Sequence, residues 1–190
     1  MAGANVGRFA WYDLITSDTK AAIDFYGAVV GDIPKIGRFA VIADPQGAAI
    51  AIFSGETDLH DETRSGEFGW NELLTTDQNA AFAFYSEIFG WNKIREHELG
   101  PMGKYLVYGI GQRELGGMFT KLADMTSMPT AWTYYANVSD LDAASKRAAA
   151  KGGKITLGPM EVPNGARITQ LIDPQGAVFA LHEPAKTKRG

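Results

Sequence analysis

Cysteine is absent from the 190-residue chain and histidine occurs only three times. The first absence excludes a disulfide, a thiolate nucleophile and any thiolate-held metal. The second leaves few imidazoles for a metal, which needs three or four strong donors. Long apolar runs are missing, so no segment is expected to span a bilayer. A basic excess is missing too: with a net charge of −4 there is no broad cationic field for a polyanion, and no nucleic-acid partner is expected. The start, Met-Ala-Gly-Ala-Asn-Val-Gly, has no cationic stretch followed by an apolar one, and Lys186, Lys188 and Arg189 read as a short solvated tail. A soluble cytoplasmic protein is the expectation.

What the chain does have is 45% apolar residues, enough for a sizeable core, and an internal repeat. Residues Gly7 to Leu14 recur as Gly66 to Leu73, and Asp18 to Gly31 as Asp77 to Gly90, at an offset of 59; Arg38 to Ala48 recurs as Arg167 to Ala177 at an offset of 129. The growth in offset means that the first copy has a beginning and an end but lacks about 70 residues of middle.

Each copy carries its own punctuation. Asp18, Asp77 and Asp140 stand where helix N-caps belong. After Asp77, Ala80, Ala81, Phe84, Tyr85, Ile88 and Phe89 fall at helical spacing until Gly90, a left-handed stop. Ala21 to Val30, closed by Gly31, repeats that pattern, and Leu141 to Lys151, closed by Gly152-Gly153, follows the strand Ala131 to Val138. Strands are expected over 92–97, 104–108 and 114–119 after the second helix, and over 154–157, 166–172 and 177–182 after the third. Only 39–43 and 48–53 remain after the first. Asp-Pro-Gln-Gly at Asp44 and at Asp173 is a tight β-turn signature between strands.

Paired βαβββ units, the helix signature Phe84-Tyr85 with Gly90-Trp91, and Asp173-Pro174-Gln175-Gly176 before a last strand together resemble the vicinal oxygen chelate superfamily, which includes glyoxalase I, bleomycin-resistance proteins and extradiol dioxygenases. The resemblance covers residues 7–53 and 66–184. Through Trp70-Asn71-Glu72-Leu73, Gly100-Pro101-Met102-Gly103 and Asp173 to Ala177, the chain is similar to bacterial tandem glyoxalase-like proteins of four modules, with its first domain shortened. The fold this implies is α+β: modules 66–119 and 130–184 form one open curved sheet, a cup, joined by a linker at 54–65 to a truncated βαββ module at 7–53. Such a module leaves an apolar face and open strand edges, so a homodimer through the truncated N-terminal module is expected, the competing account being that the short module folds back on the C-terminal domain of its own chain.

In that superfamily a metal sits on the cup's inner face. Carried over by position, the resemblance puts its ligand places at Trp70 and Thr133 on first strands and at Gly117 or Met118 and Ala180 on last strands, with Trp11 and Ala51 in the short module. None is a conventional donor. No metal cofactor is therefore expected. The expected function is a protein that binds a small molecule in a cup without the metal; the alternative is a metal-dependent lyase or isomerase of the glyoxalase kind.

Trp70, Met118, Thr133, Tyr135, Asn137 and Ala180 are expected to line the cup, with structural core as the competing account. Strand residues two apart share a face, so Glu72 joins Trp70 and His182 joins Ala180. As a pair they suit general acid and base, or two ligands of a relocated metal. The competing account makes Glu72 a carboxylate satisfied by backbone or tyrosine donors and His182 a rim residue. His97, in the charged run Arg95 to Glu98, reads as an edge facing water.

Overall fold

The computed structural model describes residues 7–10, 12, 18–26, 38–54, 63–125 and 127–185. Three helices begin on an aspartate, each for the same reason. Ahead of α1 (Thr19–Tyr26) the Asp18 carboxylate accepts the Ala21 N–H at 2.9 Å; ahead of α2 (Gln78–Phe89) Asp77 accepts from Asn79 and Ala80 at 2.9 and 3.0 Å; ahead of α3 (Leu141–Ala150) Asp140 accepts from Ala143 at 2.9 Å. Each satisfies a donor that the first turn leaves open, a contribution of about 1 kcal/mol. Gly90, at φ 70°, ends α2 as its position in the sequence implies.

The strands are β1 (Arg38–Ala43), β2 (Ala49–Ser54), β3 (Phe68–Thr75), β4 (Asn92–Glu98), β5 (Lys104–Ile110), β6 (Arg113–Thr120), β7 (Ala131–Asn137), β8 (Lys154–Glu161), β9 (Arg167–Ile172) and β10 (Val178–Glu183). With the helices they give the α+β class and two complete βαβββ modules. Both Asp-Pro-Gln-Gly segments are the tight turns expected: Asp44 accepts the N–H of Gln46 and Ala48, and Asp173 those of Gln175 and Ala177. β8 runs further than the sequence implied, through Gly158 and Pro159 with a shift of register between Leu157 and Met160. A proline without an N–H is tolerated there because β8 is an edge strand.

The chain divides into two compact units, one of Met1–Tyr12, Lys35–Leu59 and Asn71–Thr133, the other of Asp13–Pro34, His60–Trp70 and Tyr134–Gly190. In the first, β4, β5, β6 and β3 lie in that order, β3 parallel to β6 and the other pairs antiparallel. Its core is aromatic: Trp91 stacks on Tyr108 at 4.4 Å, Tyr85 lies edge-on to Trp132 at 5.3 Å, and Phe9 stacks on Trp91 at 5.7 Å. The antiparallel pair β1–β2 docks here through its turn. The buried Tyr85 hydroxyl donates to the buried Asp44 carboxylate at 3.0 Å and accepts from the Trp132 indole at 3.2 Å.

In the second unit the order is β7, β10, β9 and β8, with β7 parallel to β10. Small residues of α3, Ala144 and Ala148, let the helix settle against Ala136, Val138, Leu171, Phe179 and Leu181. Phe25 of α1 completes this core, 2% exposed and edge-on to Phe179 at 5.9 Å. Burying such a ring is worth roughly 2–3 kcal/mol. The two pieces of the short module therefore join different units of their own chain. On β1–β2 some apolar surface stays uncovered, Val41 at 67% and Ile52 at 38% exposure. The expected strand around Trp11, the close of the first helix at Gly31 and most of the linker, His60 included, lie outside the described residues. No helix among the described residues is long and apolar enough to cross a membrane.

Candidate functional site

In the first unit the register sets two rows across four strands. Glu72, Gly117, Val107 and Arg95 pair in succession from β3 to β4, and Leu74, Phe119, Tyr105 and His97 form the next row. Cross-strand partners share a face. Tyr105 on β5 reaches across β6 to donate its hydroxyl to the Glu72 carboxylate at 2.8 Å. It can do so because the intervening residue is Gly117: a Cβ there would overlap the Tyr105 ring. Further out on this face, Arg95 pairs with Glu114 at 2.6 Å and donates to His97 at 3.0 Å. His97, placed by its sequence on a water-facing edge, is half-buried on edge strand β4 beside that arginine.

Met118 points the other way. It pairs with Leu73, is fully buried, and lies on the opposite face of β6 from Glu72, so of the two places left open by one residue Gly117 is the one beside Glu72. The expectation that Met118 lines the cup with Glu72 is corrected by strand alternation. Thr133 is half-buried on β7 and Trp70 half-buried on β3.

The second unit has its own pair of rows. Tyr135, Ala180 and Gln170 pair across β7, β10 and β9, and the Gln170 amide donates to the Tyr135 hydroxyl at 2.8 Å above the fully buried Ala180. Asn137, His182, Ile168 and Met160 form the next row. There His182 Nδ1 lies 2.8 Å from Asn137 Oδ1, and burial pushes the imidazole below its ordinary pKa, which favours the neutral ring. Asn137 is 7% exposed; a Cβ on Gly69 would stand 2.7 Å from its amide nitrogen, so glycine makes room for it. Burial also raises the phenol of Tyr134, packed edge-on to Phe68 at 6.2 Å, to about 12. Tyr105, Gln170 and Gly69 escaped the sequence reading because their roles depend on cross-strand register. Glu72 and His182 each have a partner within their own unit, the first a tyrosine.

The profile of the Glyoxalase/Bleomycin resistance protein/Dioxygenase superfamily matches residues 67–181. The chain belongs to this superfamily. Among its relatives is the candidate glyoxylase CFP32 of Mycobacterium tuberculosis, 36% identical over 158 residues, which cover 81% of this chain and 59% of that protein. Another is the anthracycline biosynthesis protein DauV of a Streptomyces species, 32% identical over 154 residues, 80% of this chain and 54% of that one. The chain thus spans little more than half the length of these relatives. Among solved structures, the 2,3-dioxygenase LapB from a Pseudomonas species is similar in fold, with a TM-score of 0.59 and 10% identity over 88% of this chain and 67% of that one. A methylmalonyl-CoA epimerase of Streptomyces coelicolor matches with a TM-score of 0.52 and 16% identity over 63% and 97%.

The superfamily's metal can be tested against these residues. The places that the resemblance assigns to it by chain position hold Trp70, Thr133, Gly117 and Ala180; the first and last bring indole and methyl, Thr133 a neutral hydroxyl, and the space that a ligand at 117 would need holds the Tyr105 ring. Among the described residues no three His, Asp or Glu side chains come together. The donor set does not fit the metal, and no chemical step is derived through one.

Proposed function

We propose that the chain is a metal-free small-molecule binding protein of the superfamily, holding a flat, partly aromatic or carbonyl-bearing molecule against a sheet face within one unit, the face that carries Glu72–Tyr105 or the one that carries His182–Asn137. The observation that carries this reading is the Tyr105 ring lying over Gly117: in place of a metal donor stands a phenol hydrogen-bonded to a carboxylate. Such faces, apolar with a few fixed polar groups, suit an uncharged organic ligand. The name of DauV points to an aromatic polyketide, which makes daunomycin a sensible first probe. Titration of daunomycin against the wild type and Trp70→Ala should give saturable binding in the first and weakened binding in the second with the circular dichroism unchanged. No binding of this or other aromatic carbonyl compounds would count against the proposal.

A second reading, catalysis of a glyoxalase-type lyase or isomerase reaction, is favoured by the neutral His182 imidazole and by the name of CFP32. Glu72, on the first unit's face, is a second candidate for a catalytic group. Loss of a measured turnover in Glu72→Gln would replace the binding-only reading with this one. The proposal includes a cytoplasmic location, checked by cell fractionation, and a homodimer through the short module. Exposed Val41 and Ile52, together with strands β1 and β2 that pair only with each other among the described residues, support the dimer. Val41→Lys with Ile52→Lys should then lower the mass found by light scattering; a monomeric wild type would exclude it.

A further inference from the structure

The polar groups on the second unit's sheet face are centred on His182, paired with Asn137 through Nδ1. If Asn137 Oδ1 accepts from His182, the proton is on Nδ1 and the lone pair on Nε2. Among the described residues Nε2 has no partner. Gln170 spends one of its two amide N–H groups on Tyr135. Around them the rows contribute Leu157, Met160, Ile168, Ile172 and Val178, with Leu157, Met160 and Val178 at 43%, 43% and 55% exposure. The only cation in these rows is Lys154, opposite Ile172 at the sheet edge. An apolar face on which the imidazole lone pair is left open suits a ligand that is flat, uncharged and able to donate.

We infer that Asn137 holds His182 as its Nδ1–H tautomer, so that Nε2 accepts a hydrogen bond from a phenolic or enolic hydroxyl, and that this face therefore selects hydroxylated aromatic ligands over their O-alkylated forms. The inference rests on the small-molecule reading above and adds the ligand's functional group. Asn137 is a positioning residue in this account, acting through the ring, and Gly69 leaves the space in which its amide sits. No bond is made or broken. The burial of His182, which disfavours the charged ring, acts in the same direction.

Two measurements test it. Nitrogen-15 correlation spectra of the free protein, with His182 assigned by His182→Phe, should show a pyrrole-type Nδ1 and a pyridine-type Nε2; the opposite tautomer overturns the inference whatever binds. Alizarin and its dimethyl ether are then titrated against the wild type, Asn137→Leu and His182→Phe, with folding checked by circular dichroism. Alizarin should bind the wild type about tenfold more tightly than the ether, the value of one hydrogen bond. Both variants should erase that ratio by weakening alizarin alone, and Asn137→Leu should also mix the tautomers. Equal binding of the two compounds overturns the selectivity while leaving small-molecule binding in place. If neither compound binds, the inference and the aromatic-ligand reading fall together. Preference for a carboxylated anthraquinone over alizarin would assign the face to Lys154 and anions, and would overturn it too.

Discussion

Placing a single methyl group at residue 117 tests the arrangement around Glu72. In Gly117→Ala the new Cβ overlaps the Tyr105 ring, so the ring must leave its position across β6 and give up the 2.8 Å bond to Glu72. A hydrogen bond to a charged group contributes roughly 1.5–3 kcal/mol, and the lower end applies because both residues are only half-buried. Crowding adds roughly 1–3 kcal/mol, less whatever the ring sheds by moving outward. Against this stands roughly 0.5–1 kcal/mol gained by replacing a strand glycine. The sum is a loss of about 2 kcal/mol, or about 4–8 °C in Tm for a chain of this size. Urea unfolding of Gly117→Ala, Tyr105→Ala and the double variant makes a cycle. On the Tyr105→Ala background the methyl group should cost nothing or stabilise slightly. If Gly117→Ala is as harmful without the tyrosine as with it, the ring is not what the glycine accommodates and the argument fails.

Other consequences can be checked in the same way. Tyr85→Phe removes the hydroxyl between Asp44 and Trp132 and should cost about 2–4 kcal/mol, with faster amide exchange in β2; an effect under about 0.5 kcal/mol would detach β1–β2 from the first unit. His182 titrates below its ordinary 6.5 because it is buried. The unfolded chain therefore takes up the proton first on acidification: stability is complete above 6.5 and declines as pH falls through the folded value, and His182→Phe should flatten the urea midpoint over that window. The Lys104 ammonium, and after it Lys93, holds the Glu96 carboxyl down at about 2. Carbon-13 titration should find it there, and Lys104→Ala should move it back towards 4.5 with little change in stability, since the group is at the surface.

Local chemistry explains which parts of the fold were legible in the sequence. Aspartate caps, Gly90 and the Asp-Pro-Gln-Gly turns act within four residues of themselves, and each appears where the residue types place it. The sequence implies β8 only over 154–157, whereas as an edge strand it continues through Gly158 and Pro159 by shifting register. Of the candidate site, Glu72 and His182 could be named from chain position but their partners could not. Tyr105 is 33 residues from Glu72 and Asn137 is 45 from His182, and only the order of strands and their register bring them together. Met118 shows the same limit from the other side, since an error of one residue in register exchanges the faces of a strand. The tie between Asp44 and Tyr85 spans 41 residues and the packing of Phe25 on Phe179 many more, so the way the short module divides between the two units was equally out of reach.

Metal content tests the central claim most directly. Protein purified without chelator or immobilised nickel, with its mass taken by light scattering, would be analysed by elemental mass spectrometry. The account predicts no stoichiometric divalent metal, and none gained after dialysis against zinc, manganese or nickel. One tightly held metal per chain, lost in Glu72→Gln or His182→Phe, would contradict it and restore a metal-dependent site.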